Sequence, residues 1–477
     1  MNTQNENKDV QMLKLIPNQD GWKSVEVNKE KIQIPPIWDV KNTGSISTVV
    51  TGNTPSTQNG LYWNPADESG IPWFSTPDFR NTTKGVVIKS KKNLTNLGAQ
   101  KSRLCPNGTV MVSCIATIGE VAIAGQECTF NQQINGILPG KEHSPEYLRQ
   151  AILHNKNTLL GMAANSVVQI INKTTFELYE VVLPPLPEQQ RIASVLTSQE
   201  SRIEDLRTWA QTERDRLTWL TDELLSGRVR VVERIGEREV VVEQNADGQV
   251  VEGLGAYELV ANQDGWKSVE VNGIAKCIPI TWSITTYHEA AEFINGDWGS
   301  TPTSFNEGVV CYRKADYQGN YIKEGNTRRV SKRNPFVSRL DTIIEKSGGG
   351  DKNPVGSPAL VVSSEPAICS NFMVCAKTKE GYNPLLFFFQ YKKLYESDTI
   401  NTLFQQTTGI QNLQMGDLKN LPYTTPPHPE QQRIAAVLSA QERQIADIDQ
   451  LIELERQRLS WLTDELLSGR VRVVENT

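Results

Sequence analysis

The sequence predicts an α+β protein: two globular mixed α/β domains separated by two long helices that form an antiparallel coiled coil, arranged as a pseudo-twofold repeat. Three observations predict it. The stretch NQDGWKSVEVN stands at Asn18–Asn28 and again, letter for letter, at Asn262–Asn272. The stretch WLTDELLSGRVRVVE stands at Trp219–Glu233 and again at Trp461–Glu475. Between these edges the two interiors diverge, and each interior leads into a long heptad-patterned stretch.

Repeats are sought first because they decide the architecture. The tryptophan-led copies begin at 219 and 461 and the NQDGW copies at 18 and 262, so the offsets are 242 and 244 residues. Two units of nearly equal length therefore lie head to tail. The boundaries fall at 1–183 for the first domain with its N-terminal segment, 184–233 for the first helix, 234–261 for a connector, 262–425 for the second domain and 426–477 for the second helix.

The helices carry the clearest periodicity. Ile192, Leu196, Ile203, Leu206, Ala210, Leu217, Leu220 and Leu224 recur as Ile434, Leu438, Ile445, Ile448, Ile452, Leu459, Leu462 and Leu466. Their spacing is a heptad seam. Gln199 with Gln441, and Glu213 with Glu455, put polar groups in that seam in both copies. Such groups either fix register or sit at the seam's edge in water. Pro187-Glu188 and Pro429-Glu430 open the helices, with a carboxylate where the helix dipole favours it. Gly227 and Gly469 are candidates to close them. A stripe of this length, about 58 Å at 1.5 Å per residue, needs a partner stripe, and the other copy supplies one.

The interiors read as mixed domains, with short β-rich runs such as GTVMVSCIATIGEVAIAG and LDTIIEKSGGG among Gly, Pro and Asn turns. The acidic, turn-rich segment 234–261 reads as a surface connector whose valine-rich runs can pair as a small hairpin. PLLFFFQY is too short to cross a bilayer, and the polar start MNTQNENKDVQMLK lacks an apolar signal region, so a cytoplasmic protein is expected, without membrane partners. Seven cysteines, none in a C-x-x-C pair, read as reduced core thiols. A net charge of −6 argues against binding polyanions over the whole surface but leaves room for local basic faces.

The repeated segments LPPLPEQQRIASVL (Leu183–Leu196) and TPPHPEQQRIAAVL (Thr425–Leu438), each followed by a heptad helix ending LTDELLSG, resemble those of the specificity subunit of type I DNA restriction–modification systems. IPWFSTPDF (Ile71–Phe79), ATIGEVAIAG (Ala116–Gly125), VVCYRKADYQG (Val309–Gly319), IEKSGGGDKNPVG (Ile344–Gly356) and TTGIQNL (Thr407–Leu413) look like family elements inside the variable regions. GMAANSVVQII (Gly161–Ile171) lacks the Thr-Gly-Ile of Thr408–Ile410, which separates the two domains at those positions.

The resemblance implies two target-recognition domains, each reading half of a bipartite, asymmetric site on double-stranded DNA. It implies two modification subunits docked on equivalent repeated surfaces, using S-adenosylmethionine to methylate adenine. It further implies a restriction subunit that uses ATP and Mg to translocate and cleave DNA. No cofactor is expected in this chain itself.

The residues agree with a binding role. No G-x-x-x-x-G-K-[ST] loop is present. Gly348–Gly350 runs into Asp351-Lys352-Asn353 and reads as a tight turn beside DNA or core. Neither Asn353-Pro354-Val355 nor Asn383-Pro384-Leu385 matches the Pro-Pro-aromatic motif of an amino-methyltransferase. The four histidines are not paired at metal spacing, and no G-x-S-x-G elbow appears.

Basic clusters recur instead: Lys84, Lys89, Lys91, Lys92, Lys101 and Arg103 in the first domain; Arg328, Arg329, Lys332, Arg333 and Arg339 in the second, with Lys346 and Lys352 beyond. Such residues hold phosphates and give salt-dependent affinity rather than sequence. Asn131 and Gln132, and Gln411 and Asn412, are candidates for reading bases, or else turn-stabilising side chains. Trp63, Trp73 and Phe74 either stack at DNA or pack inside the domain. Trp219 with Leu224 and Leu225, and Trp461 with Leu466 and Leu467, are candidates for docking a modification subunit or for capping the hydrophobic end of the rod. The rival readings are a stand-alone DNA-modifying enzyme and a coiled-coil scaffold with two ligand-binding domains.

Overall fold

A proline and a glycine bracket each long helix. In the computed structural model the first runs Leu186–Ser226 and the second His428–Leu467. Gly227 and Gly469 follow at φ +75° and +76°, the left-handed backbone that ends a helix cheaply only at glycine. Each glycine also lies so close to a proline (Pro279; Pro35) that a Cβ would collide with it, and a tryptophan (Trp282; Trp38) is in tight contact beside it. The structure describes residues 13–64, 70–82, 84–163, 169–233, 242–244, 250–252, 257–298, 308–323, 328–331, 334–350, 354–407 and 409–475.

Two compact units divide the chain: Met1–Thr208 with Asp449–Thr477, and Trp209–Ile448. The division cuts both helices, so each unit holds one globular region and a stretch of each helix. The expected limits at 183, 233, 261 and 425 follow the sequence pattern and not this compactness. In the first unit Leu196 shares a core with Leu462 and Leu466, while Gln199 Nε2 donates to Glu455 Oε2 at 2.6 Å. In the second, Leu220 and Leu224 share a core with Ile434 and Leu438, and Gln441 Nε2 donates to Glu213 Oε2 at 2.6 Å. Within each unit, later residues of one helix meet earlier residues of the other, so the two stretches run in opposite directions. All four polar seam residues are buried, which decides between the two readings of them: they pair inside the seam.

The same sheet recurs in both units. Its order in the first is Val49–Thr51, Ile134–Ile137, Val110–Ser113, Val121–Ala124, Val86–Val87, with only the last pair parallel. In the second it is Ala291–Asn295, Met373–Thr378, Thr342–Glu345, Pro358–Val361, Tyr321–Ile322, again with only the last pair parallel. The central strands are buried on both faces, which explains their continuous apolar runs.

The repeated edges close each unit on itself. In the first, Leu13–Pro17 pairs antiparallel with Val471–Glu475; in the second, Val229–Glu233 pairs with Tyr257–Ala261. The stretch expected to be connector thus ends in a strand, and its valine-rich runs form the expected hairpin, Val242–Gln244 against Val250–Glu252.

A buried ion pair locks each closure. Arg472 holds the Glu188 carboxylate with Nε and with Nη2 (2.7 Å), and its Nη1 reaches Asp20 at 2.7 Å. Trp38 Nε1 donates to the same carboxylate at 3.1 Å, with the guanidinium 5.9 Å over its ring. Arg230, Glu430, Asp264 and Trp282 repeat every one of these contacts in the second unit. Next to each lock, Arg191 Nε donates to Val473 O at 2.8 Å and Arg433 Nε to Val231 O at 2.7 Å. The basic exit strand, the NQDGW edge and the PEQQR helix start are therefore repeated because they meet. Among the described residues no helix is long and apolar enough to cross a membrane.

Candidate nucleic-acid interface

One turn in each globular region is fixed by an identical set of backbone bonds. In the first unit it is Asn131–Ile134. Asn131 N donates to Phe74 O (3.0 Å), Ile134 N to Asn131 O (3.2 Å), Gly52 N to Ile134 O (3.1 Å), Asn53 N to Phe130 O (2.9 Å) and Cys114 N to Gln133 O (2.8 Å). In the second it is Ser370–Met373. The donors Ser370, Met373, Gly296, Asp297 and Lys346 bond Tyr312, Ser370, Met373, Cys369 and Phe372 at 2.9, 2.9, 3.0, 2.8 and 2.7 Å. A Cβ on Gly52 or on Gly296 would strike the carbonyl of Asn131 or of Ser370, so glycine is what lets these backbones cross.

Around this shared frame the side chains differ. In the first unit Gln132 is exposed, and its Oε1 accepts from Thr54 Oγ1 at 2.6 Å. Trp63 and Trp73 meet edge to face at 5.1 Å, their indole N–H groups donating to Ser56 O and Asn53 O, with Lys92 Nζ 5.7 Å over the Trp63 ring. In the second unit Phe372 is 46% exposed. Its ring meets Trp298 edge-on at 5.7 Å, and the Arg328 guanidinium lies 5.2 Å over the Trp298 ring. Lys346 Nζ donates to Asn295 Oδ1 at 3.1 Å.

A second matched place lies at the capping turns Ser75–Asp78 and Arg313–Asp316, where Asp78 and Asp316 accept from the backbone N–H of Ser75 and Arg313. Thr76, Ser113 and Thr117 bring three hydroxyls together there in the first unit. Lys314, Glu345 and Ser357 bring an ion pair and a hydroxyl together in the second. Burial lowers the Lys314 ammonium from its ordinary value, against the nearby Glu345 carboxylate, which raises it.

The basic residues expected at the interface differ in their surroundings. Lys84, Lys89, Lys91, Lys92, Lys101 and Arg103 are all exposed. The backbone N–H of Lys91 is spent on Asp78 (3.0 Å) and the Arg103 guanidinium on Thr51 O. Arg328 and Lys346 come to the aromatic pair just described. Arg329 is instead tied to Glu365 at 2.6 Å, so its charge is compensated. Lys332, Arg333 and Lys352 lie outside the described residues.

The base-reading candidates divide. Gln132 and Asn412 keep some exposure, the latter accepting from Ser347 Oγ at 2.7 Å. Asn131 is buried, its Nδ2 donating to Gln133 Oε1 and its Oδ1 accepting from Gln133 N. Gln411 is buried, its Oε1 accepting from Val355 N at 3.0 Å. These two are turn-holding side chains. The glycine triplet is likewise taken up internally: Glu345 Oε1 accepts from Gly349 N at 3.2 Å, putting a carboxylate where a phosphate cradle would need free donors. Phe74 is core, whereas Trp63 and Trp73 are half-buried.

At the helix ends the tryptophans and leucines separate. Trp219 and Trp461 are 51% and 53% exposed, while Leu224, Leu225, Leu466 and Leu467 are buried. The leucines are thus withdrawn from the expected docking surface because they fill the cores that close each unit. Of the seven cysteines, six are buried, and burial pushes the Cys105 and Cys311 thiols up to about 11 and those of Cys114 and Cys369 to about 12. Cys277 departs from the expectation of core thiols, being exposed on the hairpin strand Ile274–Pro279.

Sequence reasoning missed Phe372, Trp298 and Thr54. No motif marks them; only the matched hydrogen bonds show that Thr54 and Trp298 stand at corresponding places, and that Phe372 stands where the first unit has Gln133.

The family model described as Type I restriction modification DNA specificity domain matches this chain at residues 35–211 and again at 264–456. The MjaIX specificity subunit of a type I restriction enzyme from Methanocaldococcus jannaschii is 31% identical over 177 residues, covering 36% of this chain and 40% of that protein. The HindI specificity subunit from Haemophilus influenzae is 29% identical over 156 residues, covering 32% of this chain and 33% of that protein. The matched segments thus span less than half the length of either relative. Among solved structures, a type-I restriction-modification system S subunit from M. genitalium superposes with a TM-score of 0.53 at 13% identity, covering 91% of this chain and 96% of that one. A chain from a structure of complex assembly and conformational transition of the type I R-M system gives 0.50 at 14% identity, covering 92% and 99%. At these identities the structural likeness speaks to the fold.

Proposed function

The chain belongs to the type I restriction-modification DNA specificity family, whose domain it carries twice, and from this premise we propose that it is the sequence-reading subunit of such a system. Each globular region is a target-recognition domain for one half of a bipartite DNA site. The two halves differ because the side chains on the shared frame differ. The observation that carries this reading is the pair of turns held by the same five backbone bonds but tipped with unlike side chains: a constant scaffold under a variable face is what two readers of unlike sequence need.

In this reading the long helices form an antiparallel coiled coil that fixes the spacer between half-sites. The exposed, repeated Trp219 and Trp461 dock two modification subunits. Those subunits bring S-adenosylmethionine and methylate adenine; a restriction subunit brings ATP and Mg. The chain itself binds and positions, and works in the cytoplasm. Methylome sequencing of a host with and without the gene tests the proposal. The expected result is one gene-dependent, asymmetric motif with a non-specific gap of constant length. Methyl transfer to DNA by the purified chain alone would replace it with the stand-alone enzyme.

A further inference from the structure

The turns Asn131–Ile134 and Ser370–Met373 share their backbone bonds and differ at their tips, Gln132-Gln133 in the first unit and Asn371-Phe372 in the second. We propose that this turn is a base-reading element in both domains, and that in the second domain Phe372 takes the methyl group of a thymine. The inference rests on the DNA-reading function proposed above and adds the residue and the base.

Three properties of Phe372 support it. Its carbonyl accepts from both Lys346 N (2.7 Å) and Ser347 N (3.1 Å), so the backbone that carries the ring is pinned. One edge of the ring is braced by Trp298, while 46% of the residue stays in water. A rigid, half-exposed phenyl group loses little freedom on meeting a ligand and gains by leaving water.

Its surroundings favour DNA. Arg328 lies over the Trp298 ring that braces Phe372, and Lys346, whose backbone N–H holds the Phe372 carbonyl, sends its ammonium to Asn295 Oδ1; among the described residues no carboxylate forms an ion pair with either. Cations beside an apolar tip suit a backbone of phosphates next to a base edge. In the major groove the apolar feature that a base presents is the C5 methyl of thymine. In the first domain the exposed amide of Gln132 stands at the same turn, where it suits the N6 and N7 of adenine.

Uracil differs from thymine only by that methyl group, so the test is a substitution scan. The assembly with its modification subunits is bound to its own site, known from the methylome, with each thymine in turn replaced by deoxyuridine. One position in the half-site read by the second domain should lose about fourfold in affinity, the weight of one methyl group taken out of water. Phe372→Ser should bind thymine and uracil equally at that position, and Phe372→Leu should keep part of the preference.

A Phe372→Ser assembly with the wild-type deoxyuridine profile overturns this inference alone. So does a uniform loss at every position, which would make the ring a wedge or a structural prop. A wild-type assembly that selects no bipartite site overturns the parent reading as well.

Discussion

Arg472 and Arg230 each satisfy a buried glutamate that a tryptophan also engages. Removing one partner of such a pair strands a charge away from water, which costs about 3–5 kcal/mol. Arg472→Ala should therefore destabilise the first unit by that amount and Arg230→Ala the second, read by urea unfolding. Lysine should not rescue either, because it cannot present the two-pronged contact.

Glu442 differs. It lies on the second helix against Lys392 (2.6 Å) and the Tyr321 hydroxyl, and burial pushes it up to about 7 while burial lowers Lys392. Its counterpart in the first unit, Glu200, pairs with Arg149 at 2.9 Å and is less enclosed. A carboxyl raised in the fold keeps its proton where the unfolded chain has lost it. Its contribution is full below the ordinary carboxylate range and is lost as pH rises towards 7. Relative to Glu442→Gln, the wild type should lose stability as the pH rises from 4.5 towards 7, measured by denaturant unfolding across that range.

At the scale of elements, the seam pairs test whether helix contact sets register. A double-mutant cycle on Gln199→Ala and Glu455→Ala should give a coupling of about 1–2 kcal/mol, because Gln199 donates to that carboxylate while Arg202 also holds it at 2.6 Å. Zero coupling would make the polar seam incidental. Gly296→Ala should cost about 1–3 kcal/mol through overpacking against Ser370, and should weaken the turn that Phe372 sits on.

The helices, their caps and the polar seam positions were legible because a heptad pattern and terminal Pro and Gly are local signals. Which glutamine met which glutamate was not, since pairing depends on how two distant stretches run past each other. The matched turns were hidden for a related reason. Asn131 and Ser370 correspond through backbone bonds, which leave no letters in the sequence. Gln411 and Asn131 looked like base readers because an amide suits adenine and a turn equally, and only burial tells them apart.

Across the whole molecule, the strand pairs Leu13–Pro17 with Val471–Glu475 and Val229–Glu233 with Tyr257–Ala261 are equivalent closures, one between segments far apart in the chain and one across a 23-residue link, residues 234–256. A permutant that joins 475 to 13 by a similar link and opens the chain between 233 and 257 should keep its unfolding free energy within about 1 kcal/mol, because exchanging one link for another of similar length changes mainly loop entropy. The repeated edges, expected from sequence to be a face for partners, turn one arginine each, Arg472 and Arg230, onto a buried glutamate, and Trp219 and Trp461 are among the large apolar residues exposed at matched positions.

Each lock draws its members from outside the divergent stretches: Asp20, Trp38, Glu188 and Arg472 flank residues 39–187, as Asp264, Trp282, Glu430 and Arg230 flank 283–429. A genetic crossover within the shared letters would therefore transplant an interior and leave the residue types of each lock in place. Novelty in the target would then arise by exchange in one generation, where stepwise mutation of a single integrated core would have to pass through unstable intermediates.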